Sequence, residues 1–187
     1  VRIRQTARGR PWPVIGVAFG LALFASPAAA DPQTLLKDAM RQMQAGDTRT
    51  ALRTLRSCIA DPNAREWMLE ESVKLFTAYY RNPGDSAAAR TFFSQALRGD
   101  PPQAGSALPA ILTYLLDYPA LHGDDKLAVL SDMKVSGKFA DEVLNVQIQL
   151  LRRMGRQDSA LELAARLAQR TGQVEHRVLV VDLLLDM

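Results

Sequence analysis

Residues 82–102, NPGDSAAARTFFSQALRGDPP, decide the fold class, because the arrangement of this stretch returns elsewhere in the chain. Its middle part is rich in Ala, Arg and Gln, which are good helix formers. A glycine and an aspartate stand before that part, and Gly99 with two prolines follows it, so both ends carry residues that stop helices. The stretch therefore predicts one short helix over residues 85–98, bounded by turns.

Three further segments align with this one on the glycine that opens the helix. The four glycines are spaced by 38, 39 and 32 residues: Gly46, Gly84, Gly123 and Gly155. An alanine stands five residues after each glycine: Ala51, Ala89, Ala128 and Ala160. A small or apolar residue stands twelve residues after it: Cys58, Ala96, Val135 and Leu167. This recurring pattern indicates a repeated helix pair. In each pair the glycine allows the turn, and the alanine lies where the two helices approach closely.

The chain after residue 30 is predicted to be helical throughout, because the alternating runs that indicate strands are nearly absent. The predicted first helices of the pairs are 33–45, 65–82, 103–118 and 138–154. The predicted second helices are 48–60, 85–98, 124–134 and 157–171, and a last helix is predicted over 173–187. In the third pair, Pro119 should end or bend the first helix near Asp117. Each pair has an apolar face that only a stacked neighbour can bury.

The second helices resemble those of the tetratricopeptide repeat (TPR) family. The best-preserved copy matches the family pattern at Gly84, Ala89, Phe93, Ala96 and Pro101. The first copy matches nearly as well at Gly46, Ala51, Leu55, Cys58 and Pro62. Over residues 33–171 the resemblance implies an all-α fold, a right-handed α-α superhelix (solenoid) of about four TPR-like helix pairs plus a C-terminal helix. An irregular all-helical bundle is the alternative.

The first 30 residues have the order of a secretory signal peptide. Four arginines come first without an acidic residue, the apolar run 14–25 follows, and three alanines end the segment at 28–30. That run is shorter than the roughly 20 residues with which a helix crosses a bilayer. We therefore expect cleavage after Ala30, a periplasmic or secreted product, and one helical repeat domain over residues 31–187. An uncleaved anchor is the alternative.

The basic charge of the chain belongs to this leader. The sequence has 23 Lys and Arg against 20 Asp and Glu, and four arginines lie in residues 1–30, so 19 basic and 20 acidic residues remain. No nucleic-acid binding is expected, because such binding needs a concentrated basic face. The single cysteine, Cys58, excludes an intrachain disulfide, and no cysteine stands at the expected cleavage site to carry a lipid anchor.

The sequence offers no catalytic constellation. His122 and His176 are far apart and have no cysteine or acidic residue at metal-ligand spacing. Glycine-rich phosphate loops and nucleophile-elbow motifs are absent from the sequence. We expect no catalytic residue, no metal and no cofactor; an exported enzyme on an α-superhelical scaffold is the alternative. Cys58 is expected to be a buried packing residue, and Arg98-Gly99-Asp100 is expected to be a helix end rather than an adhesion motif.

In the tetratricopeptide repeat family the first helices line a concave groove in which ligand peptides lie. Carried over to this chain, the candidate partner-binding residues are Met40, Lys74, Arg81, Asn82, Asn145, Gln149, Arg152 and Arg153. The same helices add Gln33, Leu36, Met43, Glu71, Ala78, Thr113, Asp117, Leu121 and Glu142 to the groove. Basic and amide groups suit a carboxylate or a peptide backbone. The resemblance thus implies a non-catalytic protein–protein interaction scaffold that assists assembly of an envelope or secretion complex.

The C-terminal segment raises a separate expectation. Residues 178–187, VLVVDLLLDM, are apolar at seven of their first eight positions. A terminal helix of a solenoid should have a polar outer face. This helix is therefore expected to be enclosed in the core, to contact a partner, or to be covered by a longer form of the chain. We favour a protein contact, such as self-association through residues 173–187.

Overall fold

A computed structural model describes residues 31–81, 86–100 and 102–186 of the chain. These residues form nine α-helices and no strand, which confirms the all-α fold class. The helices are α1 (Pro32–Gln44), α2 (Thr48–Ala60), α3 (Glu66–Tyr79), α4 (Ser86–Ala96), α5 (Leu108–Asp117), α6 (Gly123–Ser131), α7 (Gly137–Arg153), α8 (Gln157–Thr171) and α9 (Val174–Leu185). The expected signal peptide, Gly84 and Pro101 lie outside the described residues.

The turns that follow α1 and α7 are alike, and glycine makes both possible. Gly46 at φ 79° and Gly155 at φ 72° have the left-handed backbone that other residues disfavour. In both turns the glycine amide donates to the carbonyl three residues back, and the next amide donates to the carbonyl five residues back. In the first turn Asp47 also caps α2, because its carboxylate accepts a 3.1 Å hydrogen bond from the Thr50 amide. The predicted turn role of glycine is confirmed at these two positions.

The third helix pair is built differently. Gly123 is the first residue of α6 and does not have a positive φ, so the prediction of a turn glycine is wrong here. A Cβ atom on Gly123 would lie 2.5 Å from the Met154 sulfur, so the glycine serves the close approach of that side chain. Helix α6 ends at Ser131, and Val135 therefore lies beyond the helix. Helix α5 ends at Asp117, as Pro119 predicted.

Helices that share a position in successive pairs contact one another through the first three pairs, and the first helices do so through the fourth. The first helices α1, α3, α5 and α7 are in contact in chain order, and α2 contacts α4, which contacts α6. Helix α8 contacts α7 and α9. The alanines at the predicted close-packing position, Ala51, Ala89 and Ala160, are fully buried, whereas Ala128 is half-buried. Stacking thus buries apolar faces that a single pair leaves open.

The centre of the larger core is aromatic. Phe76 of α3 stacks on Phe92 of α4 with ring centroids 4.1 Å apart, and the Phe93 and Tyr118 centroids are 5.6 Å apart. All four of these side chains are fully buried. A second, smaller core joins α7, α8 and α9 through Ile148, Leu151, Ala160, Ala164, Leu167 and Leu183. The aromatic core fixes α3 against α4 and the end of α5, and so positions the outer face of α3.

Candidate partner-binding surface

The outer face of α3 carries a stripe of accessible side chains. Trp67, Glu71, Lys74 and Ala78 follow one another at intervals of four, three and four residues, which places them on one side of a helix. Trp67 is 48% exposed, although large aromatic side chains usually lie inside proteins. The Lys74 ammonium lies 3.2 Å from the Glu71 carboxylate, so the middle of the stripe is an exposed ion pair. We call these four residues the α3 stripe.

An open pocket of about 560 Å³ lies at the tryptophan end of the α3 stripe. Its walls come from the α2–α3 connection, the first turns of α3 and the segment before α5. The lining residues are Ala64, Arg65, Glu66, Trp67, Glu70, Gln103, Ser106 and Ala107. The indole ring of Trp67 beside the Arg65 cation can hold both an apolar side chain and a carboxylate group. The Gln103 amide shapes the wall instead, because its Nε2 donates a 2.8 Å hydrogen bond to the Asp61 carbonyl. The pocket therefore suits the anchoring residue of a peptide.

Glu66 has a structural role in the wall of this pocket. One carboxylate oxygen accepts a 2.9 Å hydrogen bond from the Ser106 amide and a second bond from the Ser106 hydroxyl. The hydroxyl bond, followed by the amide bond, lowers the pKa of Glu66 below its ordinary value. A Cβ atom on Gly105, which has φ +46°, would collide with the Glu66 carboxylate. Glu66 therefore ties the start of α3 to the segment that leads into α5.

The described candidate residues of the first two pairs, Met40, Lys74 and Arg81, are accessible. Met40 of α1 is 37% exposed, and α1 contacts α3. Lys74 lies in the α3 stripe, and Arg81 follows the end of α3, where its Nε donates a 3.4 Å hydrogen bond to the Thr77 carbonyl. Asn82 lies outside the described residues.

The candidate residues of α7 divide into paired and unpaired groups. Arg153 lies 2.7 Å from Asp117 of α5, which unites two predicted groove residues from different pairs. Arg152 lies 2.6 Å from Asp186, just beyond α9. The side chains of Asn145 and Gln149 make no hydrogen bond within the described part of the chain, and their spacing of four places them on one side of α7. The amides are thus open to a ligand, whereas the two arginines already have acidic partners.

A buried lysine holds the end of α5 beside Arg153. Lys126 of α6 is only 8% exposed, and its ammonium donates a 2.7 Å hydrogen bond to the Leu116 carbonyl. Burial, with the nearby Arg153 charge adding to it, lowers the pKa of Lys126 below its ordinary value. The carbonyls at a helix C-terminus attract cations, so this lysine closes α5 where the chain turns away.

The Arg98-Gly99-Asp100 tripeptide and Cys58 both have structural roles. Arg98 donates a 2.7 Å hydrogen bond to the Ala60 carbonyl at the end of α2 and further bonds to Gln103, so the Arg-Gly-Asp arginine is held within the chain. Cys58 is fully buried, and its thiol lies 3.4 Å from the Pro32 carbonyl. Burial raises the pKa of this thiol. Both observations agree with the structural roles expected from the sequence.

The sequence reasoning missed Trp67, although the signal for it was present. The predicted set for α3 began at Glu71 and continued with Lys74 and Ala78. Extending the same interval of four residues one turn toward the N-terminus reaches Trp67. The pocket could not be found in this way, because Gln103 and Ser106 come from a distant part of the sequence.

Comparison with family models, curated proteins and solved structures found no match for this chain. Within residues 31–81, 86–100 and 102–186, no cluster of three or more His, Cys, Asp or Glu side chains is arranged to hold a metal ion. Over the same residues, no helix combines the length and apolar character needed to cross a membrane.

Proposed function

We propose that this protein is a non-catalytic scaffold that holds an extended segment of a protein partner against its first helices. In this proposal the helix pairs form a TPR-like, right-handed superhelix, and α1, α3, α5 and α7 line its concave side. The observation that carries the proposal is the α3 stripe, whose half-exposed Trp67 borders an open pocket. Serial contact of the first helices supports a continuous surface on either side of α3.

The chemistry of the surface favours a peptide over a small molecule. The pocket at Trp67 is open, and the accessible groups continue along α3 to Lys74 and on α7 to Asn145 and Gln149. Aromatic anchors of this kind dominate the binding energy of protein interfaces, while surrounding polar groups set orientation. Amide side chains at intervals suit the carbonyl and amide groups of an extended backbone. The partner proposed here is a segment with one large apolar side chain and a nearby acidic group that competes with Glu71 for the Lys74 ammonium.

Export to the periplasm is the second part of the proposal. It rests on the order of arginines, apolar run and small residues in residues 1–30. Expression of the full sequence in a Gram-negative host, followed by mass spectrometry of the periplasmic fraction, tests this part. We expect a product that begins at Asp31. A product that keeps the leader and stays with the membrane would contradict cleavage after Ala30. An envelope or secretion complex is the setting we propose for the exported scaffold.

A peptide selection tests the binding surface. Random peptides displayed on phage are selected on the immobilised chain, and an enriched peptide is titrated against wild type, Trp67→Ala, Lys74→Glu and the control Arg49→Glu. Arg49 is an exposed residue of α2 and lies outside the first helices. We expect Trp67→Ala to weaken binding roughly tenfold, as for an interface anchor, and Lys74→Glu to weaken it by a smaller factor. Equal affinities for all four proteins would contradict the proposal.

A further inference from the structure

Helix α9 has two apolar faces, and only one of them is covered. Leu183 is fully buried, and Leu179 and Val180 are half-buried against the smaller core. The other face is exposed, and four of its side chains have exposed fractions of 67%, 51%, 54% and 81%: Val174, Val178, Val181 and Leu185. A row of exposed apolar side chains is unusual for a helix that faces water.

The exposed residues of α9 have the spacing of a coiled-coil seam. Val174, Val178, Val181 and Leu185 follow at intervals of four, three and four, the alternation of the two apolar positions in a heptad. At about 100° per residue, all four lie within a narrow arc on the side opposite Leu183. We call them the α9 seam. Seams of this kind pair with a second helix of the same spacing.

Charged residues flank the α9 seam on opposite sides. Arg177 lies on one side of it, and Glu175 and Asp182 lie on the other. Within the described part of the chain, none of these three side chains belongs to an ion pair, although eight other ion pairs form there. Arg177 and Asp182 are exposed and separated by five residues, the offset at which flanking residues of parallel coiled-coil helices meet.

We infer that two copies of this chain pair through α9 as a parallel, two-fold symmetric coiled coil. In that arrangement Arg177 of each copy meets Asp182 of the other, so the symmetry forms two ion pairs at once. An antiparallel arrangement would instead bring the acidic edge of one helix, with Glu175 and Asp182, against the same edge of the other. Charge complementarity therefore favours a second copy of this chain as the partner of the α9 seam. It also favours the parallel orientation of the two α9 helices. This inference is independent of the α3 stripe.

The short seam sets the strength of the expected dimer. Helix α9 has 12 residues, and at about 1.5 Å per residue it is roughly 18 Å long. A seam of that length buries less than the roughly 800 Å² per partner of a standard interface. We therefore expect reversible dimerisation that depends on protein concentration, and not a permanent dimer.

Sedimentation velocity over a concentration series tests the inference with charge-reversal variants. Arg177→Asp and Asp182→Arg each replace two attractive pairs by two repulsive ones, and we expect each to weaken dimerisation roughly tenfold. The Arg177→Asp/Asp182→Arg double variant should dimerise like wild type. An equimolar mixture of the two single variants should form heterodimers, because each chain then complements the other. Circular dichroism melting shows whether every variant keeps the fold.

Two further variants separate the seam from other surfaces. Val181→Asp places a charge in the seam and should abolish dimerisation. Arg166→Asp makes the same charge change as Arg177→Asp on an exposed residue of α8 and should leave dimerisation unchanged. A wild-type monomer at every concentration would overturn the inference, as would dimers that tolerate Val181→Asp. Dimers whose affinity is restored in neither the double variant nor the mixture would overturn the parallel direction.

Discussion

The Tyr118 hydroxyl donates a hydrogen bond to the main-chain carbonyl of Tyr80, and this bond joins the end of α5 to the end of α3. The Tyr118 ring lies 5.6 Å from the Phe76 ring, centroid to centroid, within the aromatic core. A tyrosine buried this deeply needs a partner for its hydroxyl, and a main-chain carbonyl at the end of a helix supplies one. The pair therefore couples two first helices that are adjacent in the stack.

Tyr118→Phe should destabilise the fold through loss of the hydroxyl, because the ring remains. Loss of one hydrogen bond costs about 1 kcal/mol of the free energy of unfolding. Urea denaturation measures the change. Tyr79→Phe is the matched control, since Tyr79 is 49% exposed. Equal unfolding free energies for the two variants would show that the Tyr118 hydroxyl contributes nothing.

Gly123→Ala should destabilise the protein through steric overlap with a neighbouring side chain, and not through backbone strain. The new methyl group would lie 2.5 Å from the Met154 sulfur, and a flexible side chain can move away only by losing some of its packing. We expect a cost of about 1 kcal/mol, removed in the background of Met154→Ala. A double-mutant cycle by urea denaturation measures this coupling. Additive effects of the two substitutions would contradict the steric explanation.

Gly155→Ala should destabilise the protein through backbone strain, whereas Gly123→Ala acts through a steric contact. No atom lies within 4 Å of a Cβ placed there, but φ is +72°. The expected cost of about 1 kcal/mol therefore comes from the left-handed backbone and should persist when Met154 is alanine. Thermal or urea unfolding of the two double variants distinguishes the two origins.

Because of Glu66, the free energy of unfolding should fall as the pH becomes acidic. Its pKa in the folded protein is lowered from the ordinary 4.5 by the hydrogen bonds from Ser106. The stability it contributes is therefore fully present above that value and is lost as pH falls through the lowered pKa. Glu66→Gln should flatten the fall of the unfolding free energy below pH 4.5, and Ser106→Ala should flatten it in part. An unchanged slope in both variants would contradict this role.

Cys58 should be protected from thiol reagents in the folded protein. The thiol is fully buried and its pKa is raised, so little thiolate is both present and accessible. We expect very slow reaction with Ellman's reagent in buffer and complete reaction in denaturant. Fast reaction of the folded protein would mean that α1 and α2 open readily around Pro32.

The sequence predicted the helices well where a local residue ends them. Gly46 and Gly155 were correctly placed in turns because a left-handed residue is a local requirement. Gly123 stands in the same motif, yet its role depends on Met154, which comes from another helix pair. Local pattern reasoning cannot separate these two uses of glycine.

The candidate surface was predictable only in part, for a similar reason. The family resemblance identified Lys74 and the residues beside it, and helical spacing places Lys74, Glu71 and Ala78 on one face. The partners of Arg152 and Arg153 are Asp186 and Asp117, which are distant in sequence and meet only when the helices stack. Ion pairing within the chain thus removed two cations from the groups most open to a ligand, and left the amides of α7 in place.

Hydrogen–deuterium exchange of the chain, with and without an enriched peptide from the selection, tests the central claim most directly. The claim is that a partner segment lies against the first helices. We predict slower exchange in α3, around Trp67, and in the neighbouring α1 and α5, with α2 and α4 unchanged. Protection confined to α2, α4 and α6 would contradict the account, because those helices form the other contacting series.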